Sequence, residues 1–175
     1  MTEHHVATIE RHILGRAHRA LERVLARIET TAEVAGTLEA SGLSSVVQSV
    51  LVELETTLTS HMEWEESICF PETDRLAATP WATRLLRLQH MQIRTAVDRL
   101  AADAIALQAG PGHRQVADLR AHLYALHAIL SSHLEQEERA VLTLLVSEPG
   151  APAEGVTLAN LASLAAESAA AASEE

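Results

Sequence analysis

Apolar residues recur along this chain in alternating steps of three and four, the period of a helix that buries one face. Four such stripes can be traced. They are Leu14, His18, Leu21, Leu25 and Ile28; Val47, Leu51, Leu54, Leu58, His61, Glu65 and Ile68; Leu86, His90, Ile93, Val97, Leu100, Ala104 and Leu107; and Leu119, Leu123, Leu126, Leu130, His133, Glu137 and Leu144. Gly and Pro cluster between and after them, from Gly36 to Gly42, Pro71 to Pro80, Gly110 to Gly112 and Pro149 to Gly155, where helices stop. The pattern predicts helices over about 5–35, 43–74, 81–109 and 113–147. Short connections favour an all-α, antiparallel up-down-up-down four-helix bundle spanning 1–147. Residues 148–175 form an Ala/Ser/Glu-rich tail without a basic residue, expected to be partly ordered or a weak helix.

Composition narrows the partners. The 175 residues are 47% apolar, enough for one core. Thirteen basic against 24 acidic residues give a net charge of −11, and the aromatic residues are only Trp64, Phe70, Trp81 and Tyr124. Nucleic-acid binding, which needs clustered cations and stacking surfaces, is excluded on this reading, as is an anionic membrane surface. The opening stretch MTEHHVATIERH is too polar for a secretory signal, and no run reaches the roughly 18 apolar residues of a membrane span. A single cysteine, Cys69, fits a reducing compartment, so the expected location is cytoplasmic.

The stripes carry the chemistry, because each is interrupted by one histidine. In an antiparallel bundle the ~1.5 Å rise per residue puts His18, His61, His90 and His133 between about 14 and 21 Å from one end, within roughly a turn of one another. They can form one layer. His61 and His133 are each followed by a glutamate at i+4, Glu65 and Glu137, which places imidazole and carboxylate on the same helical face. A lone imidazole on such a face is ordinarily satisfied by a carbonyl or water. Four at one height with two carboxylates are different, since burying six such groups without a cation is expensive. Bridging carboxylates with imidazoles outside them suit a pair of iron or manganese ions better than a four-coordinate structural zinc.

The order His18, then His61-Met-Glu-Trp-Glu65-Glu66 with Cys69-Phe70-Pro71 after it, then Gln89-His90, then His133-Leu-Glu-Gln-Glu137-Glu138 resembles the hemerythrin-like HHE cation-binding domain over about 1–147. The resemblance implies two non-haem iron ions with an oxo or hydroxo bridge, manganese or zinc being less suited. His18 and His61 would serve one iron, His90 and His133 the other, with Glu65 and Glu137 bridging. Oxygen-carrying hemerythrins present two histidines one turn apart on the third helix, whereas here His90 is followed at i+4 by Arg94. Their last motif has aspartate at i+5, where this chain has Glu137 at i+4 and Glu138 at i+5. One iron thereby lacks an imidazole, and Glu22, Glu66 and Glu138 are the candidates to replace it.

The resulting expectation is a protein that binds or reduces oxygen, nitric oxide or peroxide at a carboxylate-bridged di-iron centre, whether or not it turns the ligand over as an enzyme. The alternative is an iron or redox sensor whose metal state controls a protein partner. Glu66 and Glu138 are expected outside the ligand shell, and Glu22 at the surface. His4, His5, His12, His113 and His127 are expected at the surface, and His122 at a hydrogen-bonded or bundle-edge position about 16 Å from His133 along the axis. Tyr124 is out of phase with the site. Cys69 is expected as a small buried residue, and Trp64 and Trp81 as packing residues capping the site end.

Overall fold

The computed structural model describes residues 3–139, with side-chain surroundings from residue 15 onward. The expected tail at 148–175, the final turns of the fourth helix with Leu144, and the side chains of His4, His5, His12 and Leu14 lie outside the described residues. Four helical segments account for nearly all the rest, with no strand among the described residues. Helix α1 is Glu3–Val34. Helix α2, residues 40–76, runs through α-helical Ala40–Glu53, a π-helical stretch Leu54–Thr59, α-helical Ser60–Trp64, a second π-helical stretch Glu65–Cys69, and α-helical Phe70–Leu76. Helices α3 and α4 are Arg84–Leu107 and His113–Glu137. Each segment packs on two neighbours, α1 on α2 and α4, and α3 on α2 and α4, giving a helical bundle around a shared core.

The stripes end up inside. Leu21, Ile28, Val47, Leu54, Leu58, Ile93, Leu100, Ala104, Leu119, Leu123, Leu126 and Leu130 are all at most 2% exposed. Leu25, Leu51 and Val97 pack half-buried against them. The second stripe departs from expectation at its end: Ile68 is 49% exposed, and Cys69 takes its place in the core at 4%. The π-helical turn over Glu65–Cys69 is the cause. A π turn holds about one residue more than an α turn, so the buried face after Glu65 moves on by one position. From Leu54 the buried face therefore reads Leu58, His61, Glu65, Cys69 and Thr73, with steps of four dominating.

Helix α2 stops without a glycine. Ala78 adopts φ 53°, the left-handed conformation of a Schellman cap. Its N–H donates to the Arg75 carbonyl at 3.2 Å, and the Thr79 N–H to that of Asp74 at 3.1 Å. The Asp74 carboxylate then accepts the Thr83 N–H at 2.9 Å, tying the end of α2 to the start of α3. Helix α4 begins where Gly110 turns with φ 88° and the Gln115 side chain accepts the Gly112 N–H at 2.5 Å. Between helices, Arg27 of α1 pairs with Glu53 of α2, and the Arg120 Nε–H of α4 donates to the Ala32 carbonyl at 3.0 Å.

Candidate metal centre

The four stripe histidines meet in one layer, as their heights require. The rings of His18 and His61 are 5.3 Å apart, and those of His90 and His133 are 4.7 Å apart. Glu65 and Glu137 lie among them at 0% exposure, with His90 and His133 equally closed off, His61 at 5% and His18 at 9%. The layer sits between the main core and a smaller apolar cluster of Cys69, Phe70 and Leu86, backed by half-buried Trp64. Phe70 lies against the His90 ring at 5.1 Å.

The six residues fall into two overlapping groups whose donor atoms lie within 4.8 Å of one another: His18, His61, Glu65 and Glu137, and then Glu65, His90 and His133. Glu65 gives one oxygen to each, Oε1 standing 3.1 Å from His61 Nε2 and Oε2 3.0 Å from His90 Nε2. Glu137 leans to the first group, its Oε2 being 3.0 Å from His18 Nε2, 3.8 Å from His61 Nε2 and 3.9 Å from His133 Nε2.

Outer partners fix the second pair of rings. His90 Nδ1 lies 2.7 Å from Glu66 Oε1. His133 Nδ1 lies 3.3 Å from Gln89 Oε1, whose amide is oriented by donating from Nε2 to Gln136 Oε1 at 3.2 Å. Both partner oxygens only accept, so each ring turns a protonated Nδ1 outward and its Nε2 inward. Those two Nε2 atoms are 3.2 Å apart, with Glu65 Oε2 beside them. Three potential metal-donor atoms converge there. Both nitrogens of His61, both oxygens of Glu65 and Glu137 Oε1 are buried without a hydrogen-bond partner among the described residues; the short His61 to Glu65 approach is not aligned as a hydrogen bond. Such a donor set fits a cation.

The electrostatics agree. Burial, and then the neighbouring His61, push His18 down to about 4, and burial also lowers His133, so both are neutral and ready to donate. Burial and the charge of Glu65 push Glu137 well above the ordinary carboxylate range. Burial raises Glu65 as well, but its polar neighbours His133, His61, His90 and Glu137 outweigh it and hold Glu65 below the ordinary carboxylate range. The pair shares one proton.

None of the three candidate replacement ligands enters the cluster. Glu22 and Glu138 are exposed, and Glu66 touches only the outer nitrogen of His90. Arg94, one turn beyond His90, points outward and bonds Glu66 Oε1 at 2.9 Å. Sequence reasoning missed the Gln89, Gln136 and Arg94 contacts; adjacency to His90 and the i+4 spacing from it were the available signals. His122 sits half-buried with Nδ1 2.6 Å from Asp103 Oδ2, His113 is exposed and Cys69 is buried. Two expectations need correction. Trp81 is 65% exposed with the Arg84 guanidinium over its ring, so Asp74 and the Arg87 to Phe70 contact close that end instead. His127 is half-buried.

Helices converging four imidazoles and two carboxylates on a buried interior define a metal-binding helical bundle. The hemerythrin HHE cation-binding domain model matches residues 10–145, and the chain belongs to that family. No curated protein and no solved structure matches it.

Proposed function

We propose that this chain is an antiparallel four-helix bundle that holds two iron ions and binds or reduces a small ligand of the size of oxygen, nitric oxide or peroxide. The observation that carries the reading is the convergence of two inward imidazole nitrogens and one carboxylate oxygen, His90 Nε2, His133 Nε2 and Glu65 Oε2, on fully buried side chains. His18, His61, Glu65 and Glu137 would hold one ion, and Glu65, His90 and His133 the other. Iron held there would supply one-electron chemistry toward a small ligand. Glu65 spans the two groups, and Glu137, which keeps a proton in the metal-free protein, gives that proton up to make room for a cation. The buried layer excludes bulk water, and its closure sets the size of what can enter.

The antiparallel order is supported by the sequence of contacts along each helix. Among the described residues most of the main core follows the site histidine on α1 and α3 (from Leu21 and Ile93) and precedes it on α2 and α4 (up to Leu58 and Leu130), with Met62 and Leu134 one residue past it. Among the described residues no helix is long and apolar enough to cross a membrane, and the acidic chain with one cysteine fits the cytoplasm, without a nucleic-acid or membrane partner. Metal analysis with an absorption spectrum tests the proposal. About two irons per chain, near-ultraviolet charge-transfer bands, and spectral change on mixing the reduced protein with oxygen, nitric oxide or peroxide are expected. Protein that folds and takes up no iron overturns it.

A further inference from the structure

The two glutamate pairs at the ends of the HxxxE phrases are alike in sequence and unlike in space. Glu138 is exposed, whereas Glu66 is only about one-third exposed at its side chain and reaches His90 Nδ1 at 2.7 Å. The same oxygen receives Arg94 Nη2 at 2.9 Å. The two groups of donors differ as well. In the group of His18 and His61, His61 Nδ1 has no partner among the described residues. In the group of His90 and His133, both outer nitrogens are held, one by an anion and one by a neutral amide.

We propose that Glu66, braced by Arg94, is a positioning residue for the three-donor half of the centre: it locks His90 with Nδ1–H outward and Nε2 inward and strengthens that nitrogen as a donor to the metal. The inference rests on the two-metal reading and deepens it. A carboxylate that accepts a ligand's outer N–H fixes the tautomer and the ring plane, and it draws positive charge to the far side of the ring, so the inward lone pair becomes more basic. This half offers one protein donor fewer than its neighbour, so each donor matters more. Arg94 occupies the position one turn after His90 and acts on the site through Glu66, where it neutralises and aims the carboxylate so that Oε1 faces inward.

The test uses the full chain, stripped of metal and titrated with cobalt(II) against a chromophoric chelator, with histidine nitrogen NMR of the metal-free protein beside it. The wild type is expected to take two ions, and His18→Ala identifies the step that belongs to the other half. Glu66→Ala weakens the remaining step about 10–100-fold and leaves the His18 step within about twofold. In the NMR spectrum His90 is a single Nδ1–H tautomer in the wild type and a mixture in Glu66→Ala. Glu66→Gln, which keeps an acceptor oxygen, restores the tautomer and part of the affinity; Arg94→Ala weakens the same step by less than about tenfold; and Glu138→Ala changes neither. Two bound ions with Glu66→Ala unchanged in both step and tautomer overturn this inference alone. Equal weakening of both steps overturns it too, as the mark of a general loss of packing. A wild type that takes up no cobalt overturns the two-metal reading and this inference with it.

Discussion

Glu65 and Glu137 are chemically identical side chains, equally buried, whose roles diverge because of what faces them. Imidazoles lie beside both, but at Glu65 its neighbours outweigh burial, while at Glu137 burial and the adjoining Glu65 prevail. The consequence for stability has a definite sign. Glu137 in the folded, metal-free protein keeps a proton that the unfolded chain loses near 4.5, so the native state binds more protons above that pH and stability falls as pH rises. His18 and His133 act oppositely: their pKa values lie below 6.5 in the folded chain, so their contribution is lost as pH falls beneath that value. The metal-free protein is therefore expected to be most stable near pH 6.5 and to weaken steadily above it. Urea midpoints measured from pH 5 to 9 with chelator present check this, and Glu137→Gln should abolish the decline above pH 6.5; a decline that survives the substitution refutes the assignment. At the same scale, His61→Ala removes a donor that contacts both carboxylates and is expected to lower affinity for the first ion by more than about 100-fold, beyond the usual effect of losing an outer partner, as read by the same cobalt competition.

The helices themselves carry two irregularities that decide the local register. The site was legible from sequence because HxxxE is a statement about one α-helical turn, and His61 with Glu65 and His133 with Glu137 obey it. The end of the second stripe was not, since a π turn leaves no mark in hydrophobic spacing until the helix has already shifted, and Ile68 and Cys69 are both apolar. The Glu66 and Gln89 contacts lay out of reach for another reason: they join different helices, and a single helix's period says nothing about its neighbour's rotation. The shifted register makes a direct prediction. Ile68→Ser, on the exposed side, should change unfolding free energy by less than about 0.5 kcal/mol, whereas Cys69→Ser, which buries a hydroxyl, should cost about 1–3 kcal/mol. The reverse ranking in denaturant melts would restore the regular α-helical register. The cap of α2 is a second case. Ala78 holds a left-handed φ of 53° that an L-residue with a Cβ adopts at a cost of roughly 1–2 kcal/mol, against a glycine entropy penalty of about 0.4–1 kcal/mol. Ala78→Gly should therefore stabilise the protein by about 0.5–1 kcal/mol, and a loss of stability on the same melts would count against the strain.

Across the whole molecule, the polar layer divides two apolar regions of unequal size. The larger joins Leu21 to Ala32 of α1 and Ala35 just beyond it, Leu43 to Met62 of α2, Ile93 to Leu107 of α3 and Leu119 to Leu134 of α4; the smaller is Cys69, Phe70 and Leu86 with Trp64. The larger region contains none of the six site residues. The smaller region is separated from it by groups whose charges and lone pairs oppose one another until a cation binds, so the site end should open locally at a lower free energy than the far end. Binding adds stability by mass action, about 2.7 kcal/mol at a free metal concentration one hundred times Kd, and the local opening that the cation suppresses is the one that breaks its ligand set. Amide hydrogen exchange of the metal-free and metal-loaded protein should then show protection rising over residues 61–70, 86–93 and 133–137, with little change at 43–54 and 100–126. The same metal added to His61→Ala should leave the site end unprotected. Protection that rises evenly along all four helices would mean that the cation stabilises only the globally folded state, and that the layer does not act as a separate unit of opening.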